Sequence, residues 1–138
     1  MQTFVPEATF HDIGLVLDYR RLGKQRVETY QILIANLSPT GTGGWRNHPC
    51  AKMWRGHEAG LCAYGIAMCD AWTALGYKDT CADKMRELVR PDANDLPAWW
   101  GRHDIMESHR SNLVRKMPEH YRNFYPEVVD NLPYVWVV

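Results

Sequence analysis

The sequence predicts an all-α fold, a compact single-domain helical fold over residues 1–138 with extended N- and C-terminal segments. Apolar residues recur at helical spacing along most of the chain, and the stretches that carry this pattern end at glycine or proline. A chain of 138 residues with 46% apolar composition has material for one hydrophobic core and little room for a second domain. These observations argue against a mechanism in which two domains close on a hinge.

The first two predicted helices meet at a glycine. We expect one helix over residues 12–22 and a second over residues 24–37, with Gly23 at the junction. Apolar residues three or four positions apart predict the core face of the second helix: Val27, Tyr30, Leu33, Ile34 and Leu37. The glycine-rich stretch 38–44 that follows predicts a loop.

Four further helices are predicted after this loop. Asn47 or His48 can cap a helix over residues 49–55, which has proline at its first position. A longer helix over residues 57–75 has large apolar residues at period 3.6 and small residues on its other faces, a pattern typical of a central helix. Two shorter helices complete the prediction, one from Asp79 or Thr80 to Val89 and one over residues 104–116.

The two ends of the chain are predicted to be extended. Residues 132–138 are apolar and need cover from solvent, and we expect them to lie against residues 3–5. The N-terminus lacks the charged and apolar regions of an export signal, and no run of about 18 apolar residues occurs. The four cysteines form no C-x-x-C pair and are expected to be free thiols. We therefore expect a cytoplasmic protein that makes no membrane contact.

Charge is separated along the chain although the net charge is zero, with 16 basic and 16 acidic side chains. Residues 19–57 hold seven basic side chains against one acid, Glu28, and residues 109–125 hold four against one. Acidic side chains are in excess over residues 1–18 and 58–108. Such runs are often only solvated faces, but the two basic segments also suit a nucleic-acid partner if the fold brings them together.

Four polar residues of the first basic segment follow one ridge of a helix. They are three or four positions apart and share a face that can follow a phosphate backbone: Arg20, Lys24, Glu28 and Gln31. Glu28 is either the salt-bridge partner of Lys24 or the general base of an active site. Among these cations its carboxylate is expected to stay ionised, which suits stabilising a cationic sugar or accepting a proton.

Aromatic and basic residues surround the predicted start of the next helix. The group lies within residues 44–55 and includes Trp45, Arg46, Asn47, His48 and Lys52. Free N–H groups at a helix N-terminus bind phosphate. Trp45 or Trp54 can stack on an exposed base, or both are core anchors; the loop position favours Trp45 for stacking.

The sequence carries no motif for metal or nucleotide chemistry. The histidines and cysteines do not occur at zinc spacing, and Cys62 and Cys69 are better explained as small core residues. There is no Walker loop, no G-x-G-x-x-G and no G-x-S-x-G in the sequence. We therefore predict that the protein uses no metal and no cofactor.

Several short motifs are spread over most of the chain: Tyr19-Arg20-Arg21-Leu22, Asn47-His48-Pro49 after the glycine-rich loop, the helix end over 71–77, Ser108-His109-Arg110-Ser111 and Pro118-Glu119-His120-Tyr121. Together they resemble the pyrimidine-dimer DNA glycosylases, the phage endonuclease V family. The resemblance implies a compact all-helical domain that flips a nucleotide out of duplex DNA and cleaves the glycosidic bond without metal. It also implies an N-terminal amine that forms a Schiff base with the sugar, assisted by a glutamate and arginines.

The resemblance assigns roles to individual positions. The family's arginines fall on Arg20 and Lys24, and its catalytic glutamate position is occupied by Arg21. The family's nucleophile is a threonine amine exposed when the initiator Met is removed, whereas the bulky Gln2 should leave Met1 in place and keep the amine there. The family's aromatic C-terminal stretch is echoed by Tyr121, Phe124 and Tyr125.

These observations support a leading hypothesis and two alternatives. The leading hypothesis is a monomeric DNA glycosylase or glycosylase/AP-lyase that excises pyrimidine dimers or a related lesion from duplex DNA, at the nucleoid or in the cytoplasm of a phage-infected host. Its predicted catalytic residues are Met1, Arg21 and Glu28, the last as a substitute for the family's glutamate. Its predicted DNA-binding residues are Arg20, Lys24, Gln25, Arg26, Trp45, Arg46, Asn47, His48, Lys52, Arg115 and Lys116. The alternatives are a catalytically inactive DNA-binding or partner-binding protein on the same scaffold, and an enzyme that acts on free nucleotides.

Overall fold

Helices make up the regular structure of the protein. The computed structural model describes residues 1–38 and 44–137, and within these ranges it contains seven helices and no strand. The helices are α1 (Phe10–Val16), α2 (Tyr19–Leu37), α3 (Pro49–Trp54), α4 (Glu58–Ala74), α5 (Cys81–Leu88), α6 (His103–Lys116) and α7 (Pro118–Tyr121). The predicted all-α class is confirmed. The predicted loop over residues 38–44 lies mostly outside the described residues.

Helix α4 is the centre of the fold. It packs against α1, α2 and α5, and its Leu61 and Tyr64 are fully buried. A Cβ atom on Gly65 would lie 2.6 Å from the side chains of Thr29 in α2 and Met85 in α5. Only glycine therefore allows the three helices to approach this closely. The predicted central helix, with its small residues at the helix contacts, is confirmed.

The first two helices meet earlier in the chain than the sequence predicts. Helix α1 ends at Val16, and Asp18 caps α2 by accepting a hydrogen bond from the backbone N–H of Arg21. Helix α2 then continues through Gly23, where a Cβ atom would lie 3.0 Å from the Trp72 ring. The predicted break at Gly23 is wrong because this glycine permits a close contact between α2 and α4 rather than a turn.

The buried face of α2 also differs from the predicted one. Three positions of the predicted core stripe are between 39% and 45% exposed: Val27, Ile34 and Leu37. Leu33 is buried as predicted, but the polar side chains of Gln25 and Thr29 are buried beside it. Apolar spacing indicated the wrong face because the side of α2 that meets the core is partly polar.

The remaining helices lie close to their predicted positions. His48 caps α3, with its Nδ1 accepting from the N–H of Cys50, and Thr80 precedes the first residue of α5. Helix α7 was not predicted, because Pro118 was interpreted only as an end although proline also suits the first position of a helix. All four cysteines are free and buried, as expected. The described residues contain no helix that is both long and apolar enough to cross a membrane.

The N-terminal segment, residues 1–9, has no helix and contacts α2, α4 and α6 through hydrogen bonds. Phe4 and Val5 are buried in the core. Residues 131–137 also lack regular structure, and the ring of Tyr134 lies 6.4 Å from that of Phe4. The predicted contact between the two ends of the chain is therefore present at this aromatic pair, while Val138 lies outside the described residues.

Candidate active site

A cleft of about 510 Å³ opens beside the first turns of α2. Its walls are the start of the chain, the N-terminal half of α2, the junction of α6 and α7, and Tyr134. Seven residues that the sequence predicts as catalytic or DNA-binding line it: Met1, Arg20, Arg21, Lys24, Gln25, Glu28 and Lys116. The two basic segments of the sequence thus meet at one cleft, to which the second contributes Lys116 together with the acid Glu119.

The carboxylate of Glu28 lies beside the start of the chain. The backbone N–H of Gln2 donates to Glu28 Oε2 at 3.4 Å, and Gln25 Nε2 reaches the same oxygen at 3.4 Å. Met1, the residue before Gln2, also lines the cleft. Both Lys24 and Glu28 are described by the structure, and no ion pair joins them. The carboxylate is therefore turned toward the N-terminal segment rather than toward its helical neighbour.

Neutral side chains hold the N-terminal segment in place. The N–H of Val5 donates to His109 Nδ1 at 2.9 Å, and the indole N–H of Trp54 donates to Thr3 Oγ1 at 2.9 Å. Burial lowers the pKa of His109 to about 3, so the ring is neutral at physiological pH. Its neutral form is the one that can accept the Val5 hydrogen bond.

Gln25 lies inside the protein rather than on its surface. The side chain is 1% exposed, and its amide bonds to the backbone of the N-terminal segment. It lines the inner wall of the cleft, and its partners are protein groups. That Gln25 contacts DNA stays a prediction from the sequence.

The two arginines at the start of α2 are held differently. Arg20 is exposed, and its Nε–H donates to the Tyr19 hydroxyl at 3.0 Å. Arg21 pairs with the Asp18 carboxylate at 3.1 Å, and the hydroxyl of Tyr121 donates to the same carboxylate. Burial acts to raise the pKa of Asp18, but the hydrogen bonds from Tyr121 and Arg21 bring it below its usual value. Arg21 is thus fixed in the cleft wall, while Arg20 remains accessible.

Two arginines predicted to bind DNA already have partners within the protein, Arg26 in a largely buried ion pair and Arg115 at the surface. Arg26 pairs with Asp79 at 2.5 Å, and its guanidinium lies 4.5 Å from the centre of the Trp72 ring. It is two positions from Lys24, so it projects from the other side of α2 and lies off the predicted ridge. Arg115 donates to the carbonyl oxygen of Asp130 at 2.7 Å and holds the C-terminal segment instead of lining the cleft.

The second predicted group lies around the start of α3. Trp45 is 42% exposed, Asn47 and Lys52 are exposed near it, and Arg46 is partly buried. Trp54 is fully buried, so it is a core residue. Of the two tryptophans considered for base stacking, Trp45 is therefore the one at the surface.

His48 is hydrogen-bonded to the first turn of α3 and is also affected by the charge at the N-terminus. Its Nδ1 accepts from the N–H of Cys50 at 3.0 Å, and its ring meets that of Trp136 edge-on at 5.8 Å. Burial lowers the pKa of His48, and the positive charge of the N-terminus lowers it further, whereas Glu28 acts to raise it. His48 is thus within electrostatic reach of the α-amine.

Sequence reasoning missed residues that shape the cleft. Tyr134 lines it and packs edge-on against His109, yet its position in an irregular C-terminal segment gave no signal. Asp18 fixes Arg21, and an aspartate three residues before an arginine at a helix start is a capping pattern that could have revealed it. The aromatic residues that echo the family's C-terminal stretch lie elsewhere, since Tyr121 and Tyr125 are buried.

Residues 1–38 and 44–137 contain no group of three or more histidine, cysteine, aspartate or glutamate side chains arranged to hold a metal ion. All four cysteines are free and buried. That the reaction needs no metal stays a prediction from the sequence.

The helical core, the cation-lined cleft and the chain start beside a carboxylate together fit the class of proteins that excise bases from DNA. The model of the family described as pyrimidine dimer DNA glycosylase matches residues 1–85, and the chain belongs to that family. The resemblance noted in the sequence is confirmed. Membership points to pyrimidine dimer DNA glycosylase activity in general and to DNA as the substrate. No curated protein and no solved structure matches the chain.

Proposed function

We propose that the protein is a DNA glycosylase/AP-lyase acting on pyrimidine dimers or a related lesion, with the α-amine of Met1 as nucleophile and Glu28 as its assisting carboxylate. One observation carries the proposal: the N–H of Gln2 lies 3.4 Å from Glu28 Oε2, in a cleft that Met1 and four basic side chains also line. A nucleophile, a carboxylate and phosphate-binding cations are the groups that such a reaction needs.

The proposed reaction begins at C1′ of the damaged nucleotide. The neutral amine attacks C1′, and the glycosidic C1′–N bond breaks with its electron pair on the departing base, which takes up a proton. One proton then moves from the amine nitrogen to O4′ as the sugar ring opens, which leaves a protonated imine between Met1 and the sugar. Loss of a C2′ proton from this imine expels the 3′ phosphate. Glu28 stabilises the positive charge on the sugar and carries the proton from nitrogen to O4′.

Substrate binding is proposed for the exposed cations around the cleft. Arg20, Lys24 and Lys116 contact phosphates on its two sides, and Arg21, fixed by Asp18, presents a guanidinium where the family's glutamate position falls. The group at the start of α3 extends this surface. Its exposed members are Trp45, Asn47 and Lys52. Trp45 is proposed to stack on the extruded base.

Borohydride trapping on lesion-containing duplex tests the proposal. Duplexes that carry a cyclobutane pyrimidine dimer, or one of a panel of modified bases, are incubated with the protein, and sodium borohydride reduces any imine to a stable adduct. We expect an adduct on Met1 and strand scission. Both should fall by at least about 100-fold in Glu28→Gln and in protein whose α-amine is acetylated. Glu87→Gln, an exposed carboxylate on α5, is the control and should match the unmodified protein.

Other outcomes favour the alternatives. Salt-dependent duplex binding without scission, free base or trapped adduct on any substrate would indicate a DNA-binding protein that has lost catalysis, as the arginine at position 21 allows. Failure to bind duplex even at low salt would instead favour an enzyme of free nucleotides.

A further inference from the structure

We infer that Gln25 is a positioning residue: its side-chain amide fixes the backbone of residues 2–4 and thereby sets where the α-amine of Met1 lies relative to Glu28. The inference rests on the proposed function for its catalytic consequence. Its structural part stands on hydrogen bonds that involve no substrate.

The orientation of the Gln25 amide follows from its backbone partners. The N–H of Phe4 can only donate, and it lies 3.0 Å from Oε1; the carbonyl of Gln2 can only accept, and it lies 2.7 Å from Nε2. The hydroxyl of Tyr64, which is fully buried, lies 2.6 Å from the same Oε1. That hydroxyl can also donate to the Phe4 carbonyl at 2.7 Å, so it is the two backbone groups that fix the orientation of the amide.

The second hydrogen of Gln25 Nε2 points to the catalytic carboxylate. Nε2 donates to the Gln2 carbonyl and also reaches Glu28 Oε2 at 3.4 Å. One planar group thus contacts both the residue that follows the nucleophile and the carboxylate that assists it. This group therefore sets where the backbone that carries Met1 lies relative to the Glu28 carboxylate.

Successive residues of the N-terminal segment contact Gln25 and Trp54 in turn, and these contacts fix the register of the segment against the two side chains. Gln2 and Phe4 present backbone groups to Gln25, whereas Thr3 between them turns its hydroxyl to the indole of Trp54. A slip by one residue would turn these groups to the wrong sides and break all three contacts. The backbone of residues 2–4, from which Met1 extends, is therefore held in one register.

Gln25 is the support nearest to the amine. The other neutral supports act further along, with Trp54 on Thr3 and His109 on Val5. Because Gln25 is 1% exposed, it can act on the reaction only through this segment and Glu28. It therefore positions the reacting groups rather than binding the substrate.

The test replaces Gln25 by methionine, which keeps the volume of the side chain and removes its hydrogen bonds. The matched control is Asn36→Ala, which removes another side-chain amide of α2. This amide does not line the cleft, and its nitrogen donates to the carbonyl of Ala51 at 3.0 Å. Three quantities are measured on both variants. They are the single-turnover rate of borohydride-trappable adduct, the dissociation constant for lesion duplex, and the exchange rate of the Gln2 amide proton.

We expect Gln25→Met to slow adduct formation by about 10- to 100-fold, because a displacement of about 1 Å can cost that much, while duplex affinity changes less than about twofold. The Gln2 amide should exchange faster, since its approach to Glu28 depends on the Gln25 contact. Asn36→Ala should change none of these quantities. If Gln25→Met does not fold, Gln25→Asn keeps an amide that is one methylene too short to reach the backbone of residues 2–4, and the same slowing is expected.

Two results would overturn the inference: an adduct rate and Gln2 exchange equal to those of Asn36→Ala, or weaker duplex binding with an unchanged adduct rate. A different result decides whether the proposed function is correct. If the unsubstituted protein forms no adduct on any duplex, catalysis is refuted, and Gln2 exchange in Gln25→Met still decides whether Gln25 places the segment.

Discussion

The two sides of α2 use charge in opposite ways. On the cleft side, neutral groups such as Gln25 and His109 hold the N-terminal segment, and Lys24 makes no ion pair among the described residues. On the side that faces α5, Arg26 is engaged by the Asp79 carboxylate. A cation that already has a buried partner cannot also bind phosphate. The position of the carboxylates, rather than the number of cations, therefore decides which cations of α2 remain without an ion-pair partner among the described residues.

The same division recurs at the end of α6. Arg115 donates to the carbonyl of Asp130 at 2.7 Å and holds the C-terminal segment, whereas Lys116, the next residue, lines the cleft. Of these adjacent cations, one holds the C-terminal segment and the other lines the cleft. A count of basic residues in either segment overstates the charge that is available to a ligand.

Removing the α5-side cation is expected to have the largest effect. Arg26→Met leaves the Asp79 carboxylate, whose side chain is 4% exposed, without its ion-pair partner. This should lower the free energy of unfolding by about 3 kcal/mol and change duplex affinity by less than about twofold. Urea unfolding and duplex titration measure the two quantities. A loss of affinity at unchanged stability would show that the two sides of α2 are not separate.

The neutral support on the cleft side predicts a pH effect. The pKa of His109 is about 3 in the folded protein against an ordinary value of 6.5. As the pH falls below 6.5, His109 takes up a proton in the unfolded chain but not in the folded chain. The free energy of unfolding therefore decreases as the pH is lowered from 6.5, and above pH 6.5 His109 does not change it. Between pH 6.5 and 5 the loss is roughly 2 kcal/mol. Urea midpoints across this range measure it.

His109→Asn is the variant that isolates this effect. Asparagine can still accept the hydrogen bond from Val5 but does not titrate, so the slope between pH 6.5 and 5 should be smaller than in the unsubstituted protein. Asp18, whose pKa lies below its usual value of 3.8, contributes only at still lower pH. An equal slope in both proteins would mean that another group causes the loss.

Removing a cleft-side cation should affect binding and leave stability alone. Lys24 is exposed, so Lys24→Met should change the free energy of unfolding by less than about 0.5 kcal/mol. Duplex affinity should fall by about fivefold, and the slope of log affinity against log salt by about one, because one phosphate contact is lost. Affinity and slope equal to those of the unsubstituted protein would place the DNA path elsewhere.

The smallest effect is expected at a position of α2 that lies neither on the cleft side nor on the side that faces α5. Val27 is 42% exposed although its spacing predicts a core residue. Val27→Ser should therefore change the free energy of unfolding by less than about 0.5 kcal/mol and leave duplex affinity unchanged. A decrease of several kcal/mol in the free energy of unfolding would instead mean that Val27 is part of the core, as the sequence predicts.

Local signals predicted the helices better than the faces that they bury. A cap or a proline acts within one turn, so the start of α3 at Pro49 could be predicted from the residues around it. Gly23 is ambiguous, because a glycine signals either a turn or a close contact, and its contact Trp72 is distant in sequence. The core face of α2 was missed because Gln25 is buried by partners in another segment.

The site was predictable to the extent that one helix carries it. Arg20, Lys24 and Glu28 share a helical face, and all three line the cleft. The pairing of Arg26 could not be predicted, because its partner Asp79 is 53 positions away and no local pattern joins the two. Tyr134 comes from a segment without periodicity, so only the folded chain places it beside the others.

The hydrogen bonds of the N-terminal segment have a consequence for the order of events on the ribosome. Residues 1–9 are made before α6, so the hydrogen bond from Val5 to His109, which is 104 positions later in the chain, cannot form until α6 has been synthesised. A nascent chain that lacks α6 can form the contacts to Gln25 and not those to His109. The N-terminal segment is therefore fully held only after α6 has been made, so chains truncated before α6 should carry an incompletely assembled cleft.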